Sequence, residues 1–247
     1  MKKLYLIGIG PGNIDNLTYL AVKKINECNI IIGYKEYLRL IKEILIDKNI
    51  EESDVADELE RANHAINYAL EGKTTGVISS GDSGIYGMAG LILEIIAKHS
   101  YDIDLEIIPG ITAINSAASL VGVPLMNDFC SISLSNKLTP ENIILERVEN
   151  AARGDFVMGL YNPVSRKRTE LIKETRNILL KYRNINTPVA IVRNAYRDGR
   201  EIKISNLNDF LDGYIDMFSI IIIGNSKSYI YKNYIITPRN YNIKYNL

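Results

Sequence analysis

Three glycine-bearing segments in the first half of the chain carry side chains able to do chemistry. Gly8-Ile9-Gly10-Pro11-Gly12-Asn13 reads as a nucleotide-binding turn or as a plain tight turn. The dinucleotide fingerprint needs glycine where Asn13 stands, and Pro11 removes a backbone donor from a phosphate cradle. The acidic residue expected to end the second strand is missing, since that strand runs into Gly33-Tyr34, and no GK[ST] marks a P-loop. In Ser80-Gly81-Asp82-Ser83-Gly84-Ile85-Tyr86-Gly87 the glycines let backbone approach a ligand closely. Asp82 can accept from a hydroxyl or amine, or cap the next helix. Ser83 does not complete a nucleophile elbow, because position 85 is Ile, and no histidine lies in a partner loop. Pro109-Gly110-Ile111-Thr112-Ala113 opens a small-residue stretch in which Thr112 is either an N-cap or a ligand contact.

In the second half, strand alternation puts Ser131, Ser133 and Ser135 on one face, lining either a polar cleft or a solvent-facing edge. Asn127-Asp128-Phe129 precedes them, and Leu160-Tyr161-Asn162-Pro163 ends a strand in a rigid turn. Arg166, Arg168, Arg193 and Arg197 lie near strand ends, where arginine suits bidentate carboxylate capture, although most surface arginines are simply solvated.

Composition excludes several classes. Cys28 and Cys130 are too few and too far apart for a disulfide framework or a CxxC metal site, and both read as packing residues. His64 and His99 each sit in a helical pattern, so no His-rich metal centre is expected, and His64 reads as a helix-surface residue. Lys+Arg and Asp+Glu number 29 each, which argues against a general grip on nucleic acid. No apolar run approaches the ~18 residues of a membrane span. The opening MKKLYLIGIGPGN reads as strand and loop rather than signal peptide, so a cytoplasmic protein is expected.

These residues need a frame. Lys3–Ile9, Asn29–Ile32, Thr75–Ser79 and Leu105–Ile108 read as buried strands. Helical patterns follow them at 17–25, Tyr37–Leu45, Val55–Leu70 (capped at Glu71-Gly72), to about Lys98, and from PGITA to about Gly122. The βαβα order implies a mostly parallel sheet flanked by helices, with the three glycine loops at its carboxyl edge. Gly122-Val123-Pro124 reads as a boundary, giving domains 1–121 and 122–247. The second is expected to be α+β or mixed-sheet. Its strands are Cys130–Leu134, Asp155–Tyr161, Pro188–Arg193, Glu201–Ile204 and Phe218–Ile223, with a hairpin turn at Asn194–Gly199. Thr139 should cap a helix with Pro140 at its first position, and Ser165 should cap another running to about Tyr182.

GIGPGN, GDSGIYGMAG, PGITA and TPVAIVRNA, in this order and spacing, resemble the tetrapyrrole methyltransferase family over essentially the whole chain. SSGDSGIYGMAG, NDFCSISLSNKLTP and LYNPVSRKR are closest to its precorrin-3B / cobalt-factor III C17-methyltransferases. The resemblance implies a two-domain α/β fold, each domain a mixed or parallel sheet with flanking helices, and an active site in the interdomain cleft. It implies S-adenosylmethionine as methyl donor, with S-adenosylhomocysteine as product. Pro11, Ser80, Gly81, Asp82, Ile85, Thr112, Ala113, Asn162 and Ala195 would hold the donor. Ser133, Ser135 and Arg193 would contact the substrate, and Asp82, Asp128 or Tyr86 would serve acid–base steps. It further implies a tetrapyrrole substrate methylated at C17 with ring contraction, and a homodimer. No protein-bound metal is expected, since any cobalt would arrive with the substrate.

Departures are visible. Asn127 stands where the subgroup is expected to have His, Asn136 where Asp is common, and Glu141 where Trp often follows Thr-Pro. A histidine-based mechanism at position 127 is therefore in doubt. The alternatives are another member of the family (a different ring position, diphthine synthase, an rRNA ribose methyltransferase), a NAD(P)-binding oxidoreductase, or a non-catalytic nucleotide sensor. The ISLS and LYNP segments argue against the first group, and the missing third glycine and acidic residue argue against the oxidoreductase.

Overall fold

The structure, a computed structural model, describes residues 2–165 and 168–245, the side chains of residues 242 and 243 excepted. The chain divides into two compact units, Met1–Ala113 and Ile114–Leu247. The first runs β1 (Lys3–Gly8), α1 (Tyr19–Glu27), β2 (Ile30–Tyr34), α2 (Lys35–Leu40), β3 (Asn49–Ser53), α3 (Glu58–Leu70), β4 (Thr75–Ser79), α4 (Met88–His99) and β5 (Asp104–Ile108). Its sheet is parallel throughout, in the order β3-β2-β4-β1-β5. Helices on both faces explain why the central strands read as unbroken apolar runs. Tyr5 and Ile7 of β1 face a core shared with Ala21, Ile25 and Ile41, while Leu4 and Leu6 face Ala62, Ile66 and Ile92.

Helix α5 (Ala113–Val121) opens at the boundary, and the second unit continues with β6 (Gly122–Val123), β7 (Phe129–Ser133), α6 (Glu141–Arg153), β8 (Val157–Tyr161), α7 (Glu170–Leu179), β9 (Pro188–Arg193), β10 (Glu201–Asn206), β11 (Ser219–Ile223), β12 (Tyr229–Tyr231), β13 (Tyr234–Ile236) and α8 (Tyr241–Tyr245). The larger sheet has the order β10-β9-β11-β8-β7 and is mixed. Of its hydrogen-bonded neighbours only β7 and β8 are a parallel pair. Core side chains of α6 and α7, among them Ile144, Val148, Leu171 and Leu179, cover one face. On the other, α5 begins directly over β8: a Cβ on Gly159 would lie 2.1 Å from Ile114 Cδ1. That close approach, and the bond from the Ile114 N–H to the Tyr161 hydroxyl at 3.0 Å, tie α5 to the second unit. A small sheet, β12-β13-β6, joins the end of the chain to the stretch after α5.

Several boundaries differ from expectation for local reasons. The helix expected over Tyr37–Leu45 is α2 plus a separate 3-10 turn, Lys42–Ile44, because Ile41 at φ −123°, ψ 19° leaves the helical region. The pattern expected from Val55 starts at Glu58, and β3 before it was not foreseen. NIEES lies on an edge with little burial, so it carries no alternation to read. Pro140 is itself the N-cap of α6, at φ −57°, ψ 144°, rather than its first helical residue, and no side chain caps that end. Ser165 caps nothing: it exchanges two backbone bonds with Arg168, and Thr169 is the N-cap position of α7. The end of α3 is as expected: Gly72 at φ +88° lets its N–H reach Ala69 O and the Lys73 N–H reach Tyr68 O.

Candidate functional site

In the first unit, β4, β1 and β5 are adjacent and parallel, so the loops after them leave the same sheet edge. They are stitched to one another. Gly10 and Gly81 exchange backbone bonds, Gly10 N–H to Gly81 O at 3.0 Å and Gly81 N–H to Gly10 O at 2.7 Å. Both have left-handed backbones, φ +64° and +68°, which glycine adopts without a Cβ penalty. Gly8, Gly81 and Gly110 meet so closely that a Cβ on Gly110 would lie 2.1 Å from Gly81 O and 2.7 Å from Gly8 C. From the sequence Gly110 reads only as part of the PGITA loop and not as a site residue; its signal there is a glycine two residues past the end of a strand.

Asp82 links these loops. One carboxylate oxygen accepts from the Gly84 N–H at 2.8 Å and the other from the Gly110 N–H at 3.1 Å. It does not cap α4, whose N-cap is Gly87. Beneath it Ser83 is fully buried and donates to Leu6 O at 3.1 Å. Pro11 and Thr112 are buried, Ser80 and Ala113 half-buried. Ile85 and Ile111 are exposed at 41% and 37%, and Tyr86 is exposed with φ 54°. The edge therefore offers backbone amides and carbonyls, one anchored carboxylate and two outward apolar side chains. This is a surface suited to a flat, partly apolar ligand held largely by main chain.

In the second unit, β7 and β8 end side by side, with Ser133 opposite Tyr161. Asn162, left-handed at φ 49°, follows Tyr161 and donates from Nδ2 to Ser133 Oγ at 3.0 Å; the same hydroxyl accepts from the Ser135 N–H at 3.3 Å. Strand β9 runs parallel to β8 with antiparallel β11 between them, so its end lies on the same edge. There Asn194 and Tyr196 are also left-handed (φ 50° and 59°), flanking Ala195, in a turn that leads into β10 as expected. Non-glycine residues in this region collect at functional turns. The Tyr196 hydroxyl meets Ser119 Oγ at 2.9 Å. Asp128 is exposed. Arg193 is already engaged, its Nε donating to Asp216 at 2.8 Å and its Nη1 to Glu201 at 3.2 Å. Arg166 lies outside the described residues.

The bland readings of the remaining candidates stand. Burial pushes the Cys28 thiol up to about 12, and raises that of Cys130 as well. His64 sits on α3 with Nδ1 2.5 Å from Glu51, which raises its pKa. Among the described residues no group of His, Cys, Asp and Glu is placed to hold a metal ion, and no helix is long and apolar enough to cross a membrane.

Glycine loops on adjacent parallel strands, joined at their carboxyl ends, are the arrangement at which open α/β sheets take up ligands. Residues 3–210 match the family of Tetrapyrrole (Corrin/Porphyrin) Methylases, and the chain belongs to that family. It is 47% identical over 249 aligned residues to the cobalt-factor III methyltransferase of Priestia megaterium, covering 99% of this chain and 46% of that protein. Thus it spans about half the length of that relative. It is 41% identical to a probable cobalt-factor III C(17)-methyltransferase of Salmonella typhimurium, covering 97% of this chain and all of that one. The solved structure of the methyltransferase CobJ superposes with a TM-score of 0.91 at 32% identity, covering 96% of this chain and 99% of CobJ.

Proposed function

We propose that the protein transfers a methyl group from S-adenosylmethionine to C17 of a corrin-pathway tetrapyrrole, cobalt-factor III or precorrin-3B, with contraction of the ring. The observation that carries this reading is the 41–47% identity, along nearly the whole chain, to proteins named for cobalt-factor III methylation. The stitched loops of the first unit fit the donor. Gly10, Gly81 and Gly110 present backbone at close quarters, and Ile85 and Ile111 present apolar surface. When bound, the donor supplies an electrophilic methyl group on a sulfonium.

The chain's task is then chiefly positioning. Pro11, Ser80, Gly81, Asp82, Ile85, Thr112 and Ala113, with Asn162 and Ala195, hold the donor, and Ser133 and Ser135 contact the substrate. Holding carbon, methyl and sulfur in line makes the displacement effectively unimolecular. The carbon–carbon bond forms as the carbon–sulfur bond breaks, and that bond's electron pair passes to sulfur. Water exclusion by the apolar side chains favours this dispersal of charge. Ring contraction needs a proton moved. Asp82 has both oxygens on backbone amides, so Asp128, exposed and without such ties among the described residues, is the better acid–base candidate, with Tyr86 second. The framework ion pairs of Arg193 leave it a supporting role at the substrate site. We place the protein in the cytoplasm as a homodimer. The exposed apolar side chains of Val123, Tyr229, Ile230, Tyr231 and Tyr234 are the candidate contact face.

Incubation with S-adenosylmethionine and either tetrapyrrole, followed by mass spectrometry, tests the reading. A gain of one methyl group at C17 is expected. S-adenosylhomocysteine binding without methylation of either tetrapyrrole would send the assignment to another ring position or substrate. Binding of NADH in its place would end it.

A further inference from the structure

The arginines at the strand ends of the second unit differ in what already neutralises them. Arg193 has two carboxylate partners and lies over the Tyr214 ring at 5.3 Å. Arg168 has none among the described residues. Its Nη2 donates to the Asn162 carbonyl at 2.7 Å, and its Nε is buried without a hydrogen-bond partner. The acidic group that acts on it, Glu141, is bonded instead by Asn136 Nδ2 at 2.7 Å. Burial works against its charge and lowers its pKa.

This guanidinium is nonetheless firmly placed. Arg168 and Ser165 exchange backbone bonds at 3.0 and 3.1 Å, which fixes the main chain beneath it. Asn162, whose carbonyl it grips, is the left-handed residue that ends β8 and donates to Ser133 Oγ. A half-buried guanidinium without a counter-ion is costly, and an incoming carboxylate offsets that cost with charge-assisted hydrogen bonds.

We propose that Arg168, held by Asn162 and backed by Ser133, is a carboxylate-binding subsite that anchors one acidic side arm of the substrate. This rests on the tetrapyrrole reading above and deepens it: the subsite selects for an ionised arm over an ester or amide. A planar fork is required, so lysine is a poor replacement.

The test uses the full chain as wild type, Arg168→Lys and Arg168→Met. Three quantities are measured: S-adenosylhomocysteine affinity by calorimetry, tetrapyrrole affinity by absorbance titration, and kcat and KM for methylation. Arg168→Met is expected to raise KM and the tetrapyrrole Kd about tenfold or more. S-adenosylhomocysteine affinity should change far less than tetrapyrrole affinity, and kcat much less than KM. Arg168→Lys should fall between, and if the Met variant does not fold, the Lys variant carries the test. A tetrapyrrole with esterified side arms should bind wild type and variants alike. Unchanged tetrapyrrole affinity in a variant that still binds S-adenosylhomocysteine overturns the subsite and leaves the proposed function standing. Parallel loss of both ligands assigns Arg168 a structural role and also overturns it. A wild-type protein that binds no tetrapyrrole overturns the function and the subsite together.

Discussion

Asp82 looked from the sequence like either a ligand contact or a helix cap, and the structure gives it a third task, bracing the loop after β5 against the loop after β4. Asp82→Ala leaves the Gly110 N–H without its partner, a loss of about 1–3 kcal/mol. A roughly tenfold or greater weakening of S-adenosylhomocysteine binding by calorimetry is expected. His64 supports a separate prediction. Its Nδ1 faces Glu51, its Nε2 faces Glu60 at 3.8 Å, and Tyr68 donates to the other Glu51 oxygen at 2.9 Å. The bond to Glu51 favours the protonated ring, so its folded pKa lies above the unfolded value of about 6.5. The stabilisation is fully present below that unfolded value and is lost as pH rises through the raised folded one. Urea melts of wild type and His64→Gln should differ most near pH 5.5 and converge as pH rises above the raised folded value; a constant difference would exclude the ion pair as its source. Roles such as Asp82's were illegible beforehand, because both of its partners are main-chain amides, one of them 28 positions away.

Elements with strong apolar runs and glycine ends were legible. Thr75–Ser79 and Pro188–Arg193 match β4 and β9 residue for residue, and the three glycine loops do leave neighbouring strands. What escaped were elements defined by partners rather than by their own pattern: the polar edge strand β3, and the tyrosine-rich pair β12–β13, which is largely exposed. The glycines of these elements are not equivalent. Gly110→Ala would drive a methyl group into the backbone of Gly8 and Gly81, which cannot yield. It should lower the melting temperature and abolish donor binding. Gly90, inside α4 with nothing within 4 Å of its missing Cβ, should behave oppositely. Gly90→Ala is expected to stabilise the protein by about 0.5–1 kcal/mol, read as a higher denaturation midpoint.

The whole molecule contains two α/β units whose sheets differ in construction, one parallel and one mixed, and whose fold is that of the tetrapyrrole methylases. The proposed self-association belongs to this scale. Tyr231→Asp on β12 should shift the light-scattering mass from dimer to monomer while the chain still folds, and a wild type already monomeric would refute the dimer. The order of the second sheet also bears on how the protein is made. Strand β11 lies at its centre, between β8 and β9, yet follows both in the chain. Until Ser219–Ile223 has left the ribosome, the facing edges of β8 and β9 have no neighbour, and each is an apolar template for the wrong chain. Stalled or prematurely terminated translation near residue 215 would therefore release sticky half-sheets, and the chain's exposure to chaperones and proteases is greatest in the interval before β11 emerges.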